Sequence, residues 1–330
     1  MLPYVLAVIA VISLLAVIAA RSLETGQGLA AAVQTQIDLS LAADEAEEIV
    51  TFVFIVSPVT PAGLDLSGRE IDQEAILEGT LPGADGVPEG AIWRADGGRR
   101  RLQIDDLEVR VRYQDADALV SVSTTSPEII RRWLARLPEP PSDPEAMAAK
   151  LDDFRDSDND RQFKGSERAD YRLLQLQPPS NSSIRGLPEL RSVLGWQDFA
   201  AEADADLLSE LTWFYTSPVP REAGMPPALR ERIAQHEREL VGRAGGDLAF
   251  ELFVDENLPG PRAQFDFIVC DTGAATCLRR IVEIEKTRGG PDLPYYRRLV
   301  FEGISPMTDR SAEETIDDEL LLPQVSQSGG

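Results

Sequence analysis

The order of residues predicts an α+β fold: a long N-terminal helix, an antiparallel sheet and an inserted all-helical unit. Three observations carry this. An uncharged apolar run at the N-terminus continues into an amphipathic one and stops only at Ser57-Pro58. Segments of strand pattern lie on both sides of a block of helical pattern that spans roughly 126–245. Two β segments flanking a helical block most simply form one sheet with the block inserted.

The stem comes first. Leu2–Ala20 carries no charge, and Ser13 is its one clearly polar residue. As a helix it spans roughly 28 Å, about the thickness of a bilayer's hydrocarbon core. A cleaved secretory signal would need a basic n-region, and no Lys or Arg precedes Arg21. A plain anchor would need only a flexible linker after the membrane. Here apolar residues recur at Leu29, Val33, Ile37 and Leu41, with Gln34, Gln36, Asp38 and Ser40 between them. That continuation favours a pilin-type stem, half lipid-facing and half packing-facing. Gly26 and Gly28 predict a local bend, and Ser57-Pro58 ends the helix. The globular part is therefore expected in the periplasm, below a single-pass inner-membrane anchor.

Composition excludes several functions. The chain has 330 residues, enough for a stem and two modest domains. Its formal net charge of −24 argues against nucleic acid and anionic membrane surfaces as partners. Arginine supplies nearly all the positive charge, since Lys150, Lys164 and Lys286 are the only lysines. The single histidine, His236, lies in the helical run Pro227–Val241 and reads as a solvated helix residue. One His without a nearby nucleophile does not make a Ser-His-Asp or Cys-His centre, and zinc catalysis would need further nitrogen or sulfur ligands.

Along the chain, residues 58–90 are rich in Pro, Gly and Asp and read as loop, with a short helix at Arg69–Leu77. Arg101–Ile104 and Leu107–Tyr113 read as strands. In the second, Leu107, Val109, Val111 and Tyr113 alternate with charged residues. Residues 114–117 form a turn, and Leu119–Ser123 is expected as a return strand. Ser126-Pro127 opens a helix whose apolar face is Ile129, Ile130, Trp133, Leu134 and Leu137. Pro144–Phe154, Pro188–Leu194 and Asp206–Trp213 are further expected helices. Strands resume at Leu248–Val254, Gln264–Cys270, Cys277–Glu285 and Tyr296–Glu302, before a polar tail. The expected units are a stem at 1–57, an α+β domain at 58–125 plus 246–305, a helical insert at 126–245 and a tail at 306–330. Cys270 and Cys277 are the only cysteines and flank a hairpin turn, so in an oxidising compartment they are expected to form a disulfide.

The acidic loop after Asp152 holds Asp153, Asp156, Asp158 and Asp160, with Glu167 following Gly165. Alternate acids on a turning loop can converge on one hard cation, but the spacing is not that of an EF-hand. On spacing alone it reads as a solvated acidic loop.

The motifs here resemble those of the K-type minor pseudopilin of type II secretion systems. Asp153-Phe154-x-Asp156-x-Asp158, Gly165-Ser166-Glu167-x-x-x-Tyr171 and the run Gly186–Gly195 carry the resemblance, which extends weakly over most of the chain. Phe154 replaces the family's usual Trp, and Ser121-Val122-Ser123 stands where an Asn-Leu-Asn motif is usual. No basic leader precedes the stem, so the numbering is expected to start near the mature end or to lack the leader. Val5 occupies the position where most pilin-like subunits carry a membrane glutamate, and K-type subunits share that departure.

The resemblance implies a non-enzymatic subunit that caps the pseudopilus tip in complex with the I- and J-type minor pseudopilins and is needed for protein export. It also implies calcium in the helical insert, carried over to Asp153, Asp156, Asp158 and Glu167, with Asp160 as an unmatched extra. The alternatives are a membrane-anchored periplasmic hydrolase using paired carboxylates and a calcium-stabilised binding module.

Overall fold

The computed structural model describes residues 2–60, 63–67, 91–216, 218, 220–221, 224–226, 229–230, 260–271, 273, 275–286, 295–306 and 318–319, with the side chains of 2–20 and 24 outside that description. The expected helices at Arg69–Leu77 and Pro227–Val241, His236 and the expected strand at Leu248–Val254 lie wholly or largely outside the described residues.

Helix α1 runs from Leu2 to Val56 without interruption at Gly26 or Gly28. It ends where Pro58 follows, with the Ser57 amide donating to the Val53 carbonyl at 2.9 Å. Among the described residues no helix is long and apolar enough to cross a membrane; the side chains of the Leu2–Ala20 run are not among them. Burial on α1 begins at Leu39. From there Leu39, Ala42, Ala43, Ala46, Val50, Val53 and Phe54 pack into the core at the i, i+3, i+4 spacing of one helix face. The row Leu29, Val33, Ile37 and Leu41 is a different one and stays 47–67% exposed. A strict i, i+4 row precesses by about 40° per step, so it winds away from the face that meets the sheet.

After α1 come strands β1 (Val59–Thr60), β2 (Gly63–Asp65) and β3 (Ile92–Trp93), which form a small sheet in that order. The main sheet is built from β4 (Asp96–Ile104) and β5 (Leu107–Asp115), then, far along the chain, β8 (Arg262–Asp271), β9 (Thr276–Lys286), β10 (Tyr295–Pro306) and β11 (Asp318–Glu319). Their spatial order is β10-β9-β8-β5-β4-β11, antiparallel except for the β11–β4 pair. The alternation read in β5 is obeyed: Val109, Val111 and Tyr113 are buried beneath α1 with Phe265, Phe267 and Val269 of β8. Phe54 of α1 meets Phe265 edge-on at 5.5 Å, and Tyr113 stacks on Phe265 at 5.3 Å. Cys270 and Cys277 form a register pair across the β8–β9 hairpin and are disulfide-bonded, with Cα atoms 4.1 Å apart.

Between β5 and β8 the chain builds the helical block. It contains α2 (Pro127–Leu134), α3 (Pro144–Arg155), α4 (Arg168–Leu173), α5 (Leu187–Leu190), α6 (Gln197–Glu202) and α7 (Ala205–Leu208). Proline opens α2 and α3, and Asp143 caps α3 by accepting from the Ala146 amide at 3.0 Å. Trp133, Leu151, Phe154, Tyr171, Leu190 and Trp196 form its core. Two buried indole N–H groups are partnered: Trp196 donates to the Met147 carbonyl at 2.8 Å, and Trp133 to Glu210 at 2.9 Å.

Two local expectations are corrected. Leu119–Ser123 does not return along β5. Asp115 accepts from the Asp117 amide and turns the chain through a 3₁₀ turn at Ala116–Ala118, so β6 (Val120–Ser121) leaves the sheet. Its partner is β7 (Leu211–Thr212), in parallel. The expected helix Asp206–Trp213 therefore stops at Leu208, because Leu211–Thr212 extends to meet β6.

The block is fastened to the sheet by buried polar groups. Gln264 donates to the Leu211 carbonyl at 2.7 Å, and Glu283 Oε1 accepts from the Trp213 amide at 3.0 Å. Asp115 pairs with Arg221 at 3.2 Å and accepts from the Gly260 amide. Burial pushes both Glu283 and Asp115 up to about 7. A folded pKa raised above the unfolded value stabilises fully at low pH and is lost as pH rises through about 7. The melting temperature is therefore expected to fall as pH rises from about 4 to about 7 and to level off above that. Glu283→Gln, which keeps the acceptor for Trp213 but cannot ionise, is expected to flatten that fall, as thermal melts across the range will check.

Candidate metal centre

The last turn of α3 and the loop after it bring three acids together. One carboxylate oxygen from each of Asp153, Asp156 and Glu167 lies within 4.8 Å of the other two. Each is placed by a different local device. Asp153 sits on the buried face of α3, fully inaccessible, and accepts from the Gln162 amide at 3.2 Å. Asp156 is the C-cap of α3, its amide donating to the Asp152 carbonyl at 2.9 Å. Glu167 is the N-cap of α4 in a reciprocal capping box: Asp170 accepts from the Glu167 amide at 2.9 Å.

The loop between them folds back because Gly165 donates to the Gln162 carbonyl at 3.0 Å, with Lys164 in the left-handed region at φ 63°. Lys164 itself reaches away, to Asp143 at 3.1 Å and Glu145 at 2.8 Å. Arg155 is also turned elsewhere, pairing with Asp152 at 2.8 Å and donating to the Val122 carbonyl. Negative charge at the convergence is thus left to the carboxylates.

Electrostatics reflects that arrangement. Burial raises the pKa of Asp153, Asp156 and Glu167, and the neighbouring carboxylates raise each further. Glu167 Oε1 and Asp156 Oδ1 are buried and accept from no protein donor. Orphaned carboxylate oxygens facing other carboxylates fit a hard divalent cation, which takes oxygen ligands and leaves further positions to carbonyls and water.

Asp158 does not join the three convergent acids. It is exposed and accepts from the Asp160 amide at 2.8 Å, and its carbonyl accepts from Asn181. Asp160 is exposed too. Two residues that matter here carry no acid and escape a reading of the sequence for ligands. Gln162 supplies the amide that aims Asp153, and Gly165 lets Asp153 approach the loop backbone. A Cβ on Gly165 would sit 2.0 Å from Asp153 Oδ2. The G-S-E spelling before α4 is the signal that could have pointed to this glycine.

A stem helix laid on an antiparallel sheet, with a helical block between two of its strands, is a pilin-like α+β architecture. Residues 101–204 match the family model described as Type II secretion system (T2SS), protein K. The match runs from the end of β4 through β5 and most of the helical block, including all three convergent acids, and bears out the K-type minor pseudopilin resemblance. Comparison with curated proteins gave no match. Among solved structures, a chain of "The Crystal Structure of the GspK-GspI-GspJ complex from enterotoxigenic Escherichia coli Type 2 Secretion System" is similar. It is 12% identical, with a TM-score of 0.45, over 83% of this chain and 99% of that one.

Gly165→Ala is expected to displace Asp153 and lower the melting temperature, at a cost of about 1–3 kcal/mol for the forced shift. Gly186→Ala is the control. Its Cβ would meet only Pro188 Cδ at 3.6 Å, and calorimetry should find its melting unchanged.

Proposed function

We propose that this chain is a K-type minor pseudopilin that caps the tip of the type II secretion pseudopilus and is needed for protein export across the outer membrane. The observation that carries the reading is the family match over 101–204. In this reading Leu2–Ala20 anchors the chain in the inner membrane, and the globular part lies in the periplasm, where a Cys270–Cys277 disulfide persists. Its partners are the I- and J-type minor pseudopilins, the pair named with the solved GspK chain. The exposed row Leu29, Val33, Ile37 and Leu41 is available to neighbouring stems. The helical block that follows β5 is the bulk that prevents further subunits adding above. No catalytic role is assigned to any residue.

Deleting the gene is expected to abolish secretion, and the soluble part from about residue 25 is expected to co-purify with the I- and J-type subunits. Intact secretion together with failure to bind either subunit would refute the assignment.

In the same reading Asp153, Asp156 and Glu167 hold a structural calcium ion, with Asp158 nearby. The support is the pair of orphaned buried carboxylate oxygens. An ion bound only to the native state stabilises it by about 2.7 kcal/mol at a hundred times its Kd. Calcium added to chelator-treated protein is expected to raise the melting temperature, and Asp156→Ala to abolish the rise. A melting temperature indifferent to calcium would count against the site.

A further inference from the structure

On the helical block, two adjoining hollows of about 460 and 380 Å³ open between the α2–α3 loop, α3, α6 and α7. They share Glu139, Phe199 and Glu202 and so form one groove. Its floor is apolar: Leu137 and Leu207 lie at one end and Met147 at the other. In the middle sits the half-buried ring of Phe199, fixed edge-on against Trp196 at 5.1 Å and Trp133 at 5.9 Å. Its rim is acidic, and Lys150 is the one basic side chain in the lining. Glu139, Glu202 and Asp198 are exposed and make no ion pair among the described residues. Most other rim acids are already engaged: Glu210 by Trp133, Asp206 by Arg279 at 2.6 Å and Asp204 by the Leu207 amide.

An apolar floor between uncompensated carboxylates selects by charge and by shape together. A cation alone would gain little from the floor, and an apolar segment alone would leave the rim unpaired. The complement is a chain that alternates the two: cationic side chains reaching Glu139 and Glu202, and an apolar side chain seated on Phe199, where a neighbouring cation also meets the ring face. We infer that this groove docks a basic, apolar-alternating peptide segment of a partner protein. The inference rests on the groove's own geometry and not on the capping assignment.

The test uses the full chain in detergent micelles and a fluorescein-labelled peptide, Gly-Lys-Leu-Lys-Leu-Gly, with its Glu-for-Lys counterpart as control. Anisotropy is expected to show saturable, salt-sensitive binding of the Lys peptide only. The Glu139→Gln/Glu202→Gln variant should weaken it by about tenfold or more. Phe199→Leu should weaken it without changing charge, with calorimetry verifying that it still folds. Asp105→Asn/Asp106→Asn removes the same charge at the exposed β4–β5 turn and should leave affinity unchanged. Equal loss in the two double variants would mean general attraction to an acidic protein and would overturn the proposal. So would no binding, displacement of the peptide by calcium alone, or self-association of the chain through the groove.

Discussion

Glu47 is a carboxylate on the face of α1 that meets the sheet, 6% exposed, and the seating of the stem depends on how its charge is met. Leaving such a group buried and unpaired costs about 3–5 kcal/mol, comparable to the whole net stability of a small domain. Two strands answer it. Arg297 of β10 grips it with two guanidinium nitrogens, Nη2 lying 2.7 Å from Oε2, and Arg280 of β9 lies 3.2 Å away. Arg280 continues to Asp44, one turn back on α1, at 2.5 Å and to Glu302 of β10 at 2.6 Å. Apolar packing alone tolerates a helix sliding along a sheet, since Ala42, Ala43 and Ala46 present little relief. The ion network allows one register, because any slide strands a buried charge.

That register fixes what the rest of the chain can do. With Val50, Val53 and Phe54 committed to the aromatic layer of Tyr113 and Phe265, α1 covers one face of the sheet. The helical block is attached through the side chains that point the other way, Gln264 and Glu283. The stem row left exposed and the groove on the block are therefore on separate elements, each free to meet a different partner. The block's own order rests on indole hydrogen bonds and on the loop that aims Asp153.

How much of this was legible in the sequence depended on the range of the interaction. The β5 alternation, the proline-led starts of α2 and α3 and the facing cysteines are local, and each is written within a few residues. The face of α1 that packs on the chain's own sheet was not readable, because two apolar rows run along the helix and only the tertiary contact chooses between them. The parallel pairing of β6 with β7 joins residues far apart in sequence, and no local propensity announces it. The convergence of Asp153, Asp156 and Glu167 was unreadable from spacing: one is a helix-face residue, one a C-cap and one an N-cap. The resemblance supplied it, and added Asp158, which lies outside the convergent set.

In the proposed role the exposed row of the stem meets other pseudopilin stems, while the opposite face is committed to this chain's own sheet. Cysteine cross-linking in intact cells tests it most directly. Ile37→Cys, paired with single cysteines along the I-type stem, is predicted to give a disulfide-linked heterodimer on non-reducing gels. Ala46→Cys, buried against the sheet, is predicted to give none. Cross-linking at Ala46 equal to that at Ile37, or none at any pairing with Ile37, would rule out this division of the stem's two faces.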